Sequence, residues 1–511
     1  MKNSKFFYLL PLFVLGMLAF QACTDLEVEE TDSVFTPVTG NTFAGNATNL
    51  LAAAYNDLNS VSDQANIYSL YEHTSDEMIP PTRGTDWGDN GIWRTLHAHT
   101  WDASHAYVLS SWNQLNSRVF RCNQVLASTS PAPTAQETAE AKFLRAYYMY
   151  QVMDLWGKVP FRNVNEGVDV NPRVLTRAEA FAFIEQDLLD ALPALPVTGP
   201  GGDVTKASRA ACNTLLARLY LNKAVYTAAN PAGPYNFDPA DMDKVIAACD
   251  AVIADGFTLE PDYFNNFLTG ATNELIFTCN GNGGSPQNRV HMTLHYDNNP
   301  SGWNGFTTLA DFYNKFEDGD QRKGKPAKRD STRFSGLAFG FLVGQQYDDS
   351  NRVIINSRNG LPLEFTPDVP LTGANTAQGI RVLKYHPEEL NGNVDDTEYT
   401  KYILFRLGDV ITMKAEAQLR KGATGDAEAT IDALRTVRGV GTLAPLTLEK
   451  MLDERGREMY WEGVRRIDQI RFGTWTSTWS NKTSTDPTRV LFPIPQQALD
   501  SNPNLRQNDG Y

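Results

Sequence analysis

Cysteine is nearly absent from this chain, with five residues in 511. Cys122, Cys212, Cys249 and Cys279 stand far apart, with no C-x-x-C and no zinc-ligand spacing, which argues against a disulfide framework or a zinc site. Cys122, Cys212 and Cys249 fall in helical stretches among Ala and Leu, where a thiol serves as a small buried hydrophobe. Positive charge is short too, 45 Lys and Arg against 60 Asp and Glu for a net of −15. That argues against nucleic acid and against a basic membrane-surface patch. Catalytic signatures are missing: there is no G-x-S-x-G, no H-E-x-x-H, no G-x-x-x-x-G-K-[ST] and no G-x-G-x-x-G opening a helix. His97, His99 and His105 lie close together without the i,i+4 spacing of a helical metal pair. DNNPSG, Asp297 to Gly302, starts like a calcium loop, but its twelfth position is Thr308 where glutamate is required. No cofactor is expected; a structural calcium elsewhere is left open.

What the chain does contain begins with Lys2 and Lys5, a 15-residue apolar run from Phe6 to Phe20, and then Gln-Ala-Cys. A charged leader, an apolar segment too short to span a bilayer and a small residue before a cleavage point make a secretory signal. Residues 1–22 are expected to be removed and Cys23 to carry lipid, as in a bacterial lipoprotein, with Phe20 standing where leucine is usual. Several acyl chains on one cysteine suffice for stable anchoring. Residues 23–40 form an acidic, polar tether that holds the body off the membrane. Loss of the two lysines takes the net charge from −15 to −17. Hydrophobic content of 42% and charged content of 21% are ordinary, so 41–511 is expected to fold as one globular unit.

Helical hairpins dominate that unit. Between Lys401 and Gly473, Ile403, Leu407, Val410, Ile411 and Leu419 recur at helical spacing. Gly422 and Gly425 mark a turn, and Asp426 is placed to cap a second helix carrying Ile431, Leu434 and Val437. Two antiparallel helices in about 36 residues is the size of one tetratricopeptide unit. A third, charged helix follows, on which Glu454–Arg457, Arg455–Glu458 and Glu462–Arg466 are expected to pair within a partly buried ion network. Upstream, the pattern predicts helices over Asn46–Asn59, Ser104–Ser128, Thr134–Trp156, Arg177–Leu192, Ser208–Ala228 and Asp241–Ala254. Ser75–Trp101 carries no sustained period and is expected to be an ordered loop. From Glu260 to Tyr399 strand-like pieces such as ELIFTC and RVIIN alternate with Gly, Asn and Pro turns. The fold class is therefore mainly α, tetratricopeptide-like hairpins over 41–255 and 402–474 with few short strands. A loop-rich insert (256–401) and a C-terminal strap (475–511) complete it.

Five stretches together resemble one family. FLRAYYMYQVMDLWGKVPF (Phe143 to Phe161) is similar to a helix ending in W-G-x-V-P, and SRAACNTLLARLYL (Ser208 to Leu221) to an A-x-x-x-LLARxYL helix. RLGDVITMKAEA resembles R-Y-A-D-V-x-L-M-x-A-E-A, with Leu407, Gly408 and Thr412 departing from it. ERGREMYWEGVRRIDQIRFG and the FPIP…NP…QNDGY ending fit the same family, the SusD/RagB nutrient-binding lipoproteins. The resemblance implies a non-catalytic glycan-binding lipoprotein on the outer-membrane surface. It would hand oligosaccharides to a SusC-like TonB-dependent transporter. Peptide capture is the alternative within the family. A glycoside hydrolase and a helical scaffold binding only protein are the alternatives outside it.

Sugar rings stack their C–H faces on aromatics and need carboxylates, amides and guanidinium groups for their hydroxyls. Two loops hold that mixture. One has Arg83, Asp86, Trp87, Asp89, Asn90 and Trp93, preceded by Asp76 and Glu77. The other has Tyr296, Asp297, Asn298, Asn299, Trp303 and Asn304. Arg381 and Tyr385 are placed to complete a rim. The competing role for the indoles, favoured for Trp93 and Trp101, is to pin long loops to the body. The ligand-binding set is therefore Asp76, Arg83, Asp86, Trp87, Tyr296, Trp303, Asn304 and Arg381, with no catalytic and no metal-ligating residue.

Overall fold

The computed structural model describes residues 45–268, 270–279, 290–387 and 402–511, and the backbone of a paired Pro37–Val38 and Thr42–Phe43. Residues 1–22, Cys23 and most of the tether lie outside the described residues. Local chemistry sets the helix ends. Asn46 accepts from the Asn49 N–H and opens α1 (Ala47–Asn56). Then come α2 (Asn66–Glu72), α3 (Ile92–Ala98) and α4 (Ala106–Ala127). A Thr134/Glu137 capping box starts α5 (Ala135–Trp156), which stops at Gly157 in the left-handed conformation. Thr176 and Glu179 repeat the box on α6 (Arg177–Ala191). Ser208 caps α7 (Arg209–Leu221), and Asp238 caps α8 (Pro239–Ala254). The C-terminal unit holds α9 (Leu407–Arg420), α10 (Thr424–Val437), α11 (Leu448–Met459) and α12 (Arg465–Arg471). Neighbours in the chain pack together, α4 on α5, α5 on α6, α7 on α8 and α9 on α10, and α8 meets α9 across the insert. One apolar core runs through the helices from Ala47 to Leu505, with a smaller one under the insert around Leu363 and Phe365. Cys122, Cys212, Cys249 and Cys279 are buried and form no disulfide among the described residues.

Five local expectations change. Ile403 belongs to a strand, Ile403–Arg406, antiparallel to Leu275–Thr278, so α9 begins only at Leu407. This strand ties the start of the insert to the C-terminal unit. Asp426 lies in the first turn of α10, which starts at Thr424 after Ala423 with no side-chain cap. The third helix is two: Trp461 and Gly463 take positive φ (58° and 75°) and break it before α12. The Ser75–Trp101 loop contains α3, and RVIIN makes only isolated bridges at Val353 and Ile355.

That break rearranges the ion network. Glu454–Arg457 pair as expected at 2.6 Å. Arg455 instead reaches Asp468 and Asp409, and Arg466 reaches Asp154. Glu458 sits among three guanidinium groups, taking Arg406 at 2.6 Å, Arg438 at 2.8 Å and Arg322 at 3.2 Å. Glu462 accepts from Arg406 and, at 2.6 Å, from Lys384. These side chains are buried rather than partly buried. Arg322 and Lys384 come from the insert, so the network locks the insert onto α11. A Cβ at Gly408 would lie 2.2 Å from an Arg406 nitrogen and 2.4 Å from a Glu458 oxygen, which explains glycine there.

Candidate glycan-binding platform

A ladder of isolated bridges brings the predicted loops together. Ile79 exchanges both backbone hydrogen bonds with Thr307 (2.8 and 3.1 Å), and the Thr308 N–H donates to Ile380 O at 3.0 Å. Three segments, around 79, 307 and 380, therefore lie side by side although more than 200 residues separate the first two. Arg83 and Asp86 exchange backbone bonds of 3.0 Å each across Gly84–Thr85, with Gly84 at φ 63°. That tight turn presents Trp87.

The half-buried Trp87 indole lies 4.8 Å from Phe306 and 5.7 Å from Trp93, and its Nε1–H donates to Trp303 O at 3.0 Å. A Cβ at Gly305 would come within 2.5 Å of that indole, so only glycine lets the ring lie over the second loop. Trp303 is half-buried and stands edge-on to His291 at 5.6 Å. Tyr296 donates its hydroxyl to Asp86 at 2.5 Å, bridging the loops. Burial, and then that carboxylate, push the phenol up to about 12. The exposed Arg358 guanidinium lies 5.0 Å from the Tyr296 ring centroid. Asp86, Trp87, Tyr296 and Trp303 thus share one half-exposed surface.

Of the other predicted residues, Arg381, Asn304 and Arg83 are buried beneath the loops, whereas Asp76, Glu77 and Tyr385 engage the C-terminal unit. Arg381 is fully buried and donates to Asn304 Oδ1 (2.5 Å), Thr376 O (2.8 Å) and Gln378 O (2.9 Å). Asn304, also buried, donates to Thr376 O at 3.0 Å. Arg83 is buried and donates to Asn375 O, while its Nε and Nη2 have no partner among the described residues. Burial lowers the Arg83 pKa to about 10; burial and Arg83 together lower that of Arg381 well below its usual value. Burial and the same arginines lower His295 to about 4. Asp76 forms a two-pronged pair with Arg465 (2.7 and 2.9 Å), which outweighs its burial and lowers its pKa. Glu77 accepts from the Trp461 N–H at 2.9 Å. Asp89 accepts from Trp93 Nε1 at 2.7 Å, Asn298 is buried, and Tyr385 accepts from the Ile403 N–H at 3.2 Å inside the core. Trp93 and Trp101 are buried, as the pinning role requires.

Sequence reasoning missed Arg358, whose only signal was a lone arginine in an Asn- and Gly-rich turn. It also missed Phe306, the ring under Trp87. No group of three or more His, Cys, Asp or Glu among the described residues could hold a metal. His97, His99 and His105 face backbone carbonyls instead.

A family model described as SusD family matches residues 273–511, and one described as starch-binding associating with outer membrane matches 26–221. The starch-binding protein SusD of Bacteroides thetaiotaomicron is 26% identical over 476 residues, 83% of this chain and 82% of that protein. Two solved structures share the fold: surface glycan-binding protein A from Bacteroides thetaiotaomicron in complex with laminarihexaose, and surface glycan-binding protein A from Bacteroides fluxus. The first has a TM-score of 0.69 at 19% identity and covers 90% of this chain and 98% of its own. The second has 0.68 at 21% identity and covers 91% and 99%. With the two models together spanning most of its length, the chain belongs to the SusD family of outer-membrane-associated proteins.

Proposed function

We propose that this protein captures oligosaccharides at the cell surface without cleaving them and passes them to a SusC-like TonB-dependent transporter. Residues 1–22 act as the signal peptide, Cys23 carries the lipid, and 23–40 tether the unit that follows. The observation that carries the reading is the convergence of Trp87, Trp303, Tyr296 and Asp86 from two distant loops onto one half-exposed surface. Starch and laminarihexaose, the ligands named for the relatives, support a glucan.

Two or three stacked rings at roughly 0.5–1.5 kcal/mol each, with hydrogen bonds, suit a dissociation constant from tens of micromolar to about millimolar. Such weak capture works beside a tethered importer, because a short linker supplies millimolar effective concentration. The carboxylates near the platform are engaged as acceptors: Asp86 by Tyr296, Asp89 by Trp93 and Asp297 by the Ser357 N–H. No free acid–base pair is therefore assigned to it. Calorimetry with starch and laminarin oligosaccharides tests the reading. Binding in that range, weakened severalfold by Trp87→Ala or Trp303→Ala with no reducing ends released over hours, is the expected result. Unchanged affinity in both variants would remove the platform, and steady release of reducing ends would make the protein a hydrolase.

A further inference from the structure

A cavity of about 590 Å³ opens on the helical side, and none of its lining residues belongs to the platform. Its rim is the Gly157–Lys158 turn after α5, the first residues of α6, the 226–231 turn and the C-terminal strap. The volume lies within the range of small-molecule sites, about 300–1,000 Å³.

Arg177 lines it and is nine-tenths buried at 9% exposure. The buried arginines Arg145, Arg455, Arg465, Arg466 and Arg471 on α5, α11 and α12 each pair with a carboxylate. Arg177 pairs with none among the described residues. Its Nε and Nη1 are sealed from water with no acceptor, which leaves Nη2 as the nitrogen toward open space. The guanidinium lies 5.3 Å from the Tyr226 ring centroid. Asp154 makes no ion pair with it; the two carboxylate oxygens accept from the Tyr226 hydroxyl and from Arg466. Burial lowers the Arg177 pKa, and the nearby Tyr226 and Asp154 oppose that only in part.

The backbone adds to this. Thr176, Arg177 and Ala178 are the cap and first two residues of α6, a 15-residue helix, and all three line the cavity. The Thr176 hydroxyl takes the Glu179 N–H, so those of Arg177 and Ala178 have no intrahelical partner at the positive end of the helix. Lys158 and Arg506 also line the space, against one carboxylate, Asp509. Val174, Leu175, Leu491, Pro231 and Pro487 make an apolar stretch of the wall, beside polar residues such as Asn230 and Asn504.

The geometry points to a second binding site here, one that takes a small organic molecule through its carboxylate. The carboxylate meets Arg177 and the open N–H groups of α6, and the body of the ligand lies on the Leu175–Leu491 wall. An inorganic anion would leave that wall unused. Two sources share this chemistry, a uronic-acid oligosaccharide and a peptide with a free C-terminus.

The test is calorimetry on the full chain with trigalacturonate and with trialanine, each beside its neutral counterpart, galactotriose and trialanine amide. At least one carboxylate probe is expected to bind, and its neutral counterpart at least tenfold more weakly. Trigalacturonate alone would identify an acidic glycan, trialanine alone a peptide end, and both a general carboxylate site; each supports the proposal. Arg177→Gln should weaken the binding at least tenfold. Ala229→Trp, placed on the exposed rim, should block it without moving the melting temperature, which keeps the test sound if Arg177→Gln folds poorly. Binding of neither acid, equal binding of the neutral probes, or indifference to Ala229→Trp would overturn the proposal. Trp87→Ala should leave this site unchanged, so its failure is separable from that of the glycan platform.

Discussion

The ion network around α11 and the platform around Tyr296 are built from the same kinds of polar group, and they use them in opposite ways. In the network, buried arginines meet carboxylates in forked geometry: Arg322 takes Asp320 and Glu454, Arg406 takes Glu458 and Glu462, and Arg471 takes Glu416 and Asp468. Under the platform and among the described residues, Arg83 and Arg381 have carbonyl and amide acceptors only, and three of their nitrogens have none. A buried charge network holds a frame in one arrangement only when its members are satisfied. A surface with half-covered rings and one bridging carboxylate keeps polar capacity for a ligand. The contrast separates frame from grip.

The sharpest attempt to break it is Glu458→Gln, which strips the charge from a group facing three arginines. A loss of about 3–5 kcal/mol in urea unfolding is expected, with affinity at the platform unchanged in the folded fraction. A midpoint equal to that of the parent would mean the network is dispensable.

Acid should act on the frame next. Burial alone would raise Asp409, Glu416 and Glu454, but the arginines beside them outweigh it and hold all three at about 2. In the unfolded chain these groups take protons near pH 4, roughly. As pH falls from about 4.5 towards 2 the unfolded state binds more protons, so their stabilisation is lost across that window. Glu72 runs the other way. Burial raises its pKa to about 7, so between about 4.5 and 7 the folded state holds the extra proton and stability declines as pH rises. Melting curves from pH 2 to 8 should show the loss on the acid side. Buried histidines such as His73 and His295, lowered by burial, act oppositely to Glu72 in its window, so the check there is the difference between parent and Glu72→Gln melting curves: the parent should lose ground to the variant as pH rises from about 4.5 to 7.

Gly408→Ala presses a methyl into Arg406 and Glu458 and should cost about 1–3 kcal/mol, read by the same denaturation. A neutral result would show that the network has slack.

The smallest effect belongs to the grip. Arg358→Ala removes the cation beside Tyr296 and should weaken oligosaccharide binding two- to fivefold, in keeping with about 0.5–1 kcal/mol for an exposed contact. Stability should not move. A large drop in melting temperature would place Arg358 with the frame instead.

Helix ends were the most legible part of the chain. Thr134/Glu137, Thr176/Glu179 and Gly157 act within four residues of themselves, so their geometry is written locally. The Lys401–Gly473 stretch was legible in its apolar spacing but not in its breaks. Ile403 satisfies a helical period and yet pairs with Thr278, because a strand 125 residues upstream offered its edge. Pairing along α11 was misjudged for the same reason: sequence spacing offers Glu458 to Arg455, whereas packing brings Arg406, Arg438 and Arg322 closer. At the platform, composition picked out both loops but could not rank their members. Asn304 and Arg381 look as exposed as Trp303 in a list of residues, and only the bridges at Thr307 and Ile380 turn them inward.

The sequence by itself determined where capped helices such as α5 and α6 begin, which cysteines are inert, and which two loops set aromatics beside carboxylates and amides, because each depends on neighbours a few residues away. Tertiary structure decided which polar groups are paired and which are left open, because hydrogen-bond satisfaction depends on partners that meet only when distant segments fold against one another.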